Sequence, residues 1–318
     1  SRSTALTGKY RITRPQAGGE NRLLIGVDLL KETVQSRNFF NSSPTEKTDY
    51  ERRLTAIYAN EEVAIHPAWL LTVAGRIDWS EFTFSTTTSS GDRSFRVFSP
   101  KVGLTHLVTP SASIFASWSR SFRFPNRDEL TGFFGFTPEL DPEEATVYEV
   151  GSNLHSGNGF DGHISFFRMT VQDEILFVPP PSGAFTFGEN QNVPEVFHDG
   201  VETSAAVRLS DAVRLRGGYT FTRTEITEGP FEGSTLPITP RHAGNAGIDV
   251  GEEGWLFSFT GRQYRIYGQG GASFQVSQGS ALTVSGGAQR TFYSDDFSND
   301  FTTVFGNGMY SRTLSERT

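Results

Sequence analysis

Cysteine is absent from the 318 residues, which removes disulfide frameworks and thiolate metal sites. A chain without stray thiols fits an oxidising compartment. No apolar run approaches the roughly 18 residues of a membrane-crossing helix, and mean hydropathy is only -0.36. A basic stripe is also missing. The 36 acidic residues outnumber the 28 basic ones, for a net charge of -8, so no nucleic-acid partner is expected. Catalytic signatures are lacking as well. None of the six histidines (His66, His106, His155, His163, His198, His242) stands at a tight ligand spacing, and no Gly-x-Ser-x-Gly elbow occurs. The glycine pairs at 18–19, 217–218, 270–271 and 286–287 precede no helical pattern, so they make no phosphate cradle. No enzyme, resident metal or cofactor is expected.

What the chain does have is alternation. Trp69, Leu71, Val73, Gly75, Ile77 and Trp79 share one face of a strand, and Leu70, Thr72, Ala74, Arg76, Asp78 and Ser80 share the other. Ten steps of about 3.3 Å, tilted by about 40°, rise roughly 25 Å. That is the apolar height of an outer-membrane barrel with an aromatic girdle at each margin. A soluble strand of ordinary length rarely needs such a span. Val213, Leu215, Gly217, Tyr219 and Phe221 oppose Arg214, Arg216, Gly218, Thr220 and Thr222 in the same way. Further apolar rows are headed by Trp255 and Trp118, and Val102, Leu104, His106 and Val108 oppose Lys101, Gly103 and Thr105. Charge is costly in a dry core and cheap in a wet lumen. Arg76, Asp78, Lys101, Arg214 and Arg216 are therefore expected to face a lumen, and Trp69, Trp79, Trp118 and Trp255 to mark the membrane girdles. The adjacent Glu61 and Glu62 force one carboxylate outward, which places them at the rim with the short turns.

Connections alternate in length. Short ones, rich in Pro, Gly, Asn, Asp and Ser, fall at 15–19, 66–68, 109–111, 155–159, 210–211, 251–254 and 277–280. Long ones are expected at 38–47, 86–92, 125–144, 179–194 and 227–240. A meander through a bilayer sorts its loops by parity in this way; a soluble sandwich does not. The predicted fold is all-β, an up-and-down antiparallel transmembrane barrel of about fourteen visible strands, with one short helical turn near 126–131. Acidic residues gather in the candidate loops (Glu129, Asp141, Glu143, Glu144, Asp295, Asp296, Asp300), where they read as solubilising.

One series of segments resembles the TonB-dependent outer-membrane receptors. Phe98-Ser99-Pro100-Lys101-Val102-Gly103-Leu104 is followed by a strand closing on Ser121-Phe122-Arg123-Phe124-Pro125, similar to the family's Phe-Arg-Ala-Pro box. Asp128-Glu129-Leu130, Pro138-Glu139-Leu140-Asp141-Pro142-Glu143 and Tyr148-Glu149-Val150-Gly151 come next in the family's order. Phe167-Arg168-Met169-Thr170-Val171-Gln172-Asp173-Glu174-Ile175, His198-Asp199-Gly200-Val201-Glu202 and Leu236-Pro237-Ile238-Thr239-Pro240-Arg241-His242 complete the series. Upstream, Ile25-Gly26-Val27-Asp28 is similar to another of the family's strands.

The resemblance implies a partial receptor barrel over 1–318, without the plug domain and last strand, looking like strands 8 to 21 of a barrel of about 22. A truncated chain is expected on that ground. The implied function is import of a scarce nutrient, by default a ferric siderophore, across the outer membrane of a Gram-negative bacterium. Its partners would be the metal chelate, outer-membrane lipid and, through the missing plug, the TonB energy-transducing complex. The expected ligand residues on the long loop are Arg123, Arg127, Phe133, Phe134 and Phe136, because aromatic and guanidinium groups hold planar or anionic chelates. No histidine falls between Pro125 and Pro138, where haem-importing relatives carry one, which disfavours haem. The alternative function is a passive outer-membrane channel or adhesin barrel without TonB coupling.

Overall fold

In the computed structural model the backbone is described for residues 2–16, 19–40, 43–86, 90–132, 135–136, 140–157, 159–180, 188–236, 239–250, 253–262, 265–277, 280–291 and 301–312. Side chains are described up to position 249, apart from 16, 38–40, 43–46, 131–132 and 135–136. The strands are β1 (Arg2–Gln16), β2 (Gly19–Phe40), β3 (Ser43–His66), β4 (Trp69–Thr86), β5 (Ser90–Thr109) and β6 (Ala112–Arg123). A helical turn α1 (Arg127–Leu130) and a small hairpin, β7 (Thr131–Gly132) and β8 (Gly135–Phe136), follow. Then come β9 (Glu143–Ser156), β10 (Phe160–Val178), β11 (Glu189–Ser210), β12 (Val213–Glu228) and β13 (His242–Val250). The last four are β14 (Glu253–Arg262), β15 (Arg265–Ser277), β16 (Ser280–Thr291) and β17 (Phe301–Arg312). All but the small hairpin join one sheet of 15 antiparallel strands in chain order, beside an expected count of about fourteen.

Register converts the alternation of single strands into two faces of a sheet. Leu71, Leu104, Ala116, Val150, Phe166, Val201 and Phe221 stand directly opposite one another across seven strands. Large exposed apolar residues in this region, such as Val73, Val102, Ile114, Tyr148 and Phe166, lie on that same outer face. A one-residue slip anywhere would turn the row inward, so the pattern itself fixes the pairing. The chain is a transmembrane β-barrel wall, and hydrocarbon is the solvent this face meets.

The apolar band crosses the strands obliquely. On β4 it reaches Trp79, yet on β6 it ends at Trp118, which stands opposite Val102 and, through it, Val73, well short of Trp79. Outward charges take over beyond each margin: Arg96 beside Trp79, Arg120 after Trp118, and Arg168 paired with Asp199 at 3.0 Å. A horizontal bilayer cutting tilted strands produces this drift, as strand tilt in a barrel wall requires. At the opposite margin Trp69 stacks on His106 with ring centroids 4.2 Å apart. Glu61 is exposed on the outer face between Leu23 and Val73, near the short-turn end.

Two expected loops are instead strand. The β2–β3 ladder runs on to Phe40 opposite Ser43, and β4–β5 to Ser85 opposite Ser90, so 38–47 and 86–92 are mostly paired backbone. The ladders lead into them from alternating pairs just before: Tyr50 stands across from Phe84, and Arg52 from Phe82. These pairs extend the ladder beyond the membrane.

The inner wall is thin. A methyl group on Gly26 would sit 2.2 Å from the ring of its cross-strand partner Tyr58, so that ring lies over the glycine along the sheet. Phe115 covers Gly151 and Phe167 covers Gly200 in the same manner, each pair being directly opposed. Arg76 then caps the Tyr58 ring at 5.4 Å. Its fork closes on Asp78 (Nε to Oδ2, 2.8 Å) and reaches Asp28 through Nη1 at 2.6 Å. Asp78 is 1 % exposed, so this guanidinium is what makes its burial tolerable.

Candidate ligand site at the mouth of the barrel

Beyond Trp79 the alternation changes phase. Glu81, Thr83 and Ser85 now face out, while Ser80, Phe82 and Phe84 face in, and both phenylalanines are buried. The inner face above the membrane is thus dry, and it needs a cover. Phe124, Leu130 and Leu140 supply it, buried against Tyr50, Phe82, Phe84, Val97 and Ile175. Phe124 stacks on Phe95 at 5.8 Å and meets the Phe82 ring edge-on at 6.1 Å.

Local chemistry fixes this segment. Pro125 stops β6, and Asn126 caps α1: the Glu129 N–H donates to Asn126 Oδ1 (2.9 Å) while the Asn126 N–H donates to Glu129 Oε2 (2.8 Å). This reciprocal pair is a capping box. Arg123 ties the segment to the wall. It donates from Nη1 to both Glu129 oxygens at 2.9 and 2.8 Å, and from Nε and Nη2 to Glu143 at 2.7 and 2.5 Å. Those carboxylates, Glu143 foremost, hold the guanidinium even more firmly in its charged form. Glu143 Oε1 also accepts the Ile175 N–H at 2.8 Å. On the far side Asn192 accepts the Asp141 N–H (2.8 Å) and donates to the carbonyls of Asp141 and Asp173. Asp173 takes φ 57°, in the left-handed region that Asp tolerates better than most residues. Burial first, then Asp141 and Glu144, push its carboxyl above the ordinary range.

Between α1 and the inner face of β1–β3 remains a cavity of about 400 Å³, lined by Ser3, Glu32, Tyr50, Arg52, Arg127 and Asp128 among others. The Arg52 guanidinium lies over the rings of Phe82 (5.2 Å) and Phe124 (5.6 Å). Burial pushes the Tyr50 phenol up to about 12, against the pull of Arg52. An unfolded tyrosine loses its proton near 10.0, so the folded state holds one more proton between pH 10 and about 12. Stability from this group is complete below pH 10 and is lost as pH rises through that window. A Tyr50→Phe barrel should therefore lack one tyrosinate absorbance step near pH 12 while the steps near 10 remain. Loss of a step near 10 instead would refute the buried environment.

Arg123, expected to touch ligand, is thus occupied by two glutamates, and Arg127 pairs with Asp128 at 2.6 Å while lining the cavity. Phe133 and Phe134 lie outside the described residues, as does the Phe136 side chain. Arg76, Asp78, Lys101, Arg214 and Arg216 stand on the face opposite the apolar band. Arg76 and Asp78 pair with each other, and Arg216 with Asp249 at 3.2 Å. Trp69, Trp79 and Trp118 stand on the outer face; the Trp255 side chain is outside the described set. Tyr50, Arg52 and the Phe124–Leu130–Leu140 cover were not singled out from sequence, although the phase change after Trp79 and the Asn-x-x-Glu spacing both signal them. Each described histidine has a local neighbour, as in His198 with Glu174 (3.0 Å) and His242 with the Tyr219 hydroxyl (2.7 Å). Among the described residues no cluster of three or more His, Asp or Glu could hold a metal ion.

Comparison with known proteins places this architecture. Residues 2–309 match the model of the TonB-dependent receptor-like β-barrel family. The chain is 25% identical over 276 residues to an iron-regulated outer membrane virulence protein of Vibrio cholerae, covering 80% of this chain and 40% of that protein. The ferric-catecholate import receptor Fiu of E. coli K12, in its closed form, superposes with a TM-score of 0.69 at 16% identity, over 90% of this chain and 50% of that one. The copper transporter OprC gives a TM-score of 0.71 at 16% identity, over 97% and 55%. The chain therefore spans about half the length of the proteins it resembles, or less.

Proposed function

We infer, since this chain belongs to the TonB-dependent receptor β-barrel family and resides in the Gram-negative outer membrane, that it is the wall and mouth of an importer for a metal chelate. A ferric siderophore is the substrate this reading favours. The carrying observation is the inward change of phase above the bilayer: strands that turn apolar side chains to lipid below turn them to the bore above, under a tied-down cover. That arrangement builds a shaped, partly apolar vestibule, which a diffusion pore does not need and a selective binder does. Import would then need energy delivered through a plug by TonB, because a tightly held chelate does not leave by diffusion.

The inner wall supports the same reading, since rings laid along the sheet at Tyr58, Phe115 and Phe167 leave room for a plug. Unpartnered polar side chains such as Lys101 would meet it there. Expression of the complete reading frame in a receptor-deficient strain should restore growth on an iron chelate only when TonB is present. Growth that persists without TonB would instead establish the passive channel.

A further inference from the structure

Arginines at the mouth are not equivalent. Arg93 and Arg123 are held by carboxylates at hydrogen-bonding distance, 2.8 Å to Asp141 and 2.5 Å to Glu143. Arg52 is positioned differently. Two phenyl rings support its guanidinium; among the described residues its carboxylate partner, Glu32, stands at 3.7 Å, and its Nε has no hydrogen-bond partner. A guanidinium stacked on rings keeps its place while its donor fork remains largely unspent. It also borders the cavity beneath α1, where Tyr50 remains a neutral phenol at physiological pH, able to donate.

We propose that Arg52 is the anion-recognition residue of this receptor, and that the ligand presents negatively charged oxygens, as a catecholate or carboxylate chelate does, to the cavity framed by Arg52, Tyr50 and α1. The proposal rests on the chelate-import reading and narrows it to anionic chelates. A planar fork binds two such oxygens side by side, which a lysine ammonium cannot reproduce. Arg127, across the cavity, adds positive potential that its partner Asp128 partly offsets. The cover itself, through Phe124, supplies one of the two rings on which Arg52 rests, so loop and wall jointly set the guanidinium's position.

The test uses the full-length receptor in detergent, titrated with a ferric tris-catecholate (anionic) and a ferric tris-hydroxamate (neutral) while tryptophan quenching is followed. Wild type should prefer the anionic chelate. Arg52→Gln should weaken that binding roughly 10- to 100-fold, with Arg52→Lys recovering only part of it. Both variants should keep the unheated, fast-migrating form on gels, which separates lost recognition from lost folding. Equal binding by Arg52→Gln and wild type, or a wild-type preference for the neutral chelate, would overturn the proposal. Were wild type to bind neither chelate, the import reading would fall on its own account.

Discussion

Replacing Arg76 by methionine should leave little folded barrel in the outer membrane, although the position faces away from lipid. The substitution keeps the stem and removes the guanidinium bonded to Asp78, which is 1 % exposed, and to Asp28. Breaking a buried pair from one side strands the other charge, at a cost of about 3–5 kcal/mol. A domain's whole margin is about 5–15 kcal/mol. The triple variant Arg76→Met, Asp28→Asn, Asp78→Asn should recover most of the heat-modifiable folded band, because no charge is then left uncompensated. If Arg76→Met alone folded like wild type, the inner face would be wetter than its burial implies.

A second large effect comes from two neighbours in β5. Leu104→Arg puts a guanidinium into the row shared with Leu71 and Ala116, at a depth where it costs about 2–4 kcal/mol. Thr105→Arg, one residue on, turns the same group to the lumen and should cost little. Membrane assembly, followed by resistance of the folded form to proteolysis, is expected to collapse for the first and survive for the second. The reverse result would mean the register is displaced by one residue and every face assignment with it.

These two predictions depend on features that were unequally legible. The outer face could be read because hydrocarbon imposes one rule on many strands: Trp69 to Trp79 in β4 and Val213 to Phe221 in β12 obey it separately. The family resemblance, carried by segments such as 98–104 and 121–125, agrees with the match over 2–309. The mouth was read less well. Arg123 was expected to meet ligand, yet Glu129 and Glu143, remote from each other in sequence, converge on it. A pairing of that kind is made by the fold of 124–142, and strand periodicity does not register it. Likewise 38–47 and 86–92 were expected as long loops, whereas the ladders run on to Phe40 opposite Ser43 and Ser85 opposite Ser90. The change of phase at Ser80-Glu81-Phe82 was present in the sequence all along. It lies just beyond Trp79, where the apolar row read from the sequence ends.

The rings laid over Gly26, Gly151 and Gly200 have a mechanical consequence. A conduit lined with upright aromatics would grip its contents at each layer, and every displacement would have to break those contacts together. Here the lining is smooth at these points, so a body seated in such a bore, as the proposed function requires, would be retained chiefly by polar contacts that water can replace one at a time. Were the proposed import to proceed by a pull on such a body, resistance would be spread along the stroke instead of being concentrated at its start.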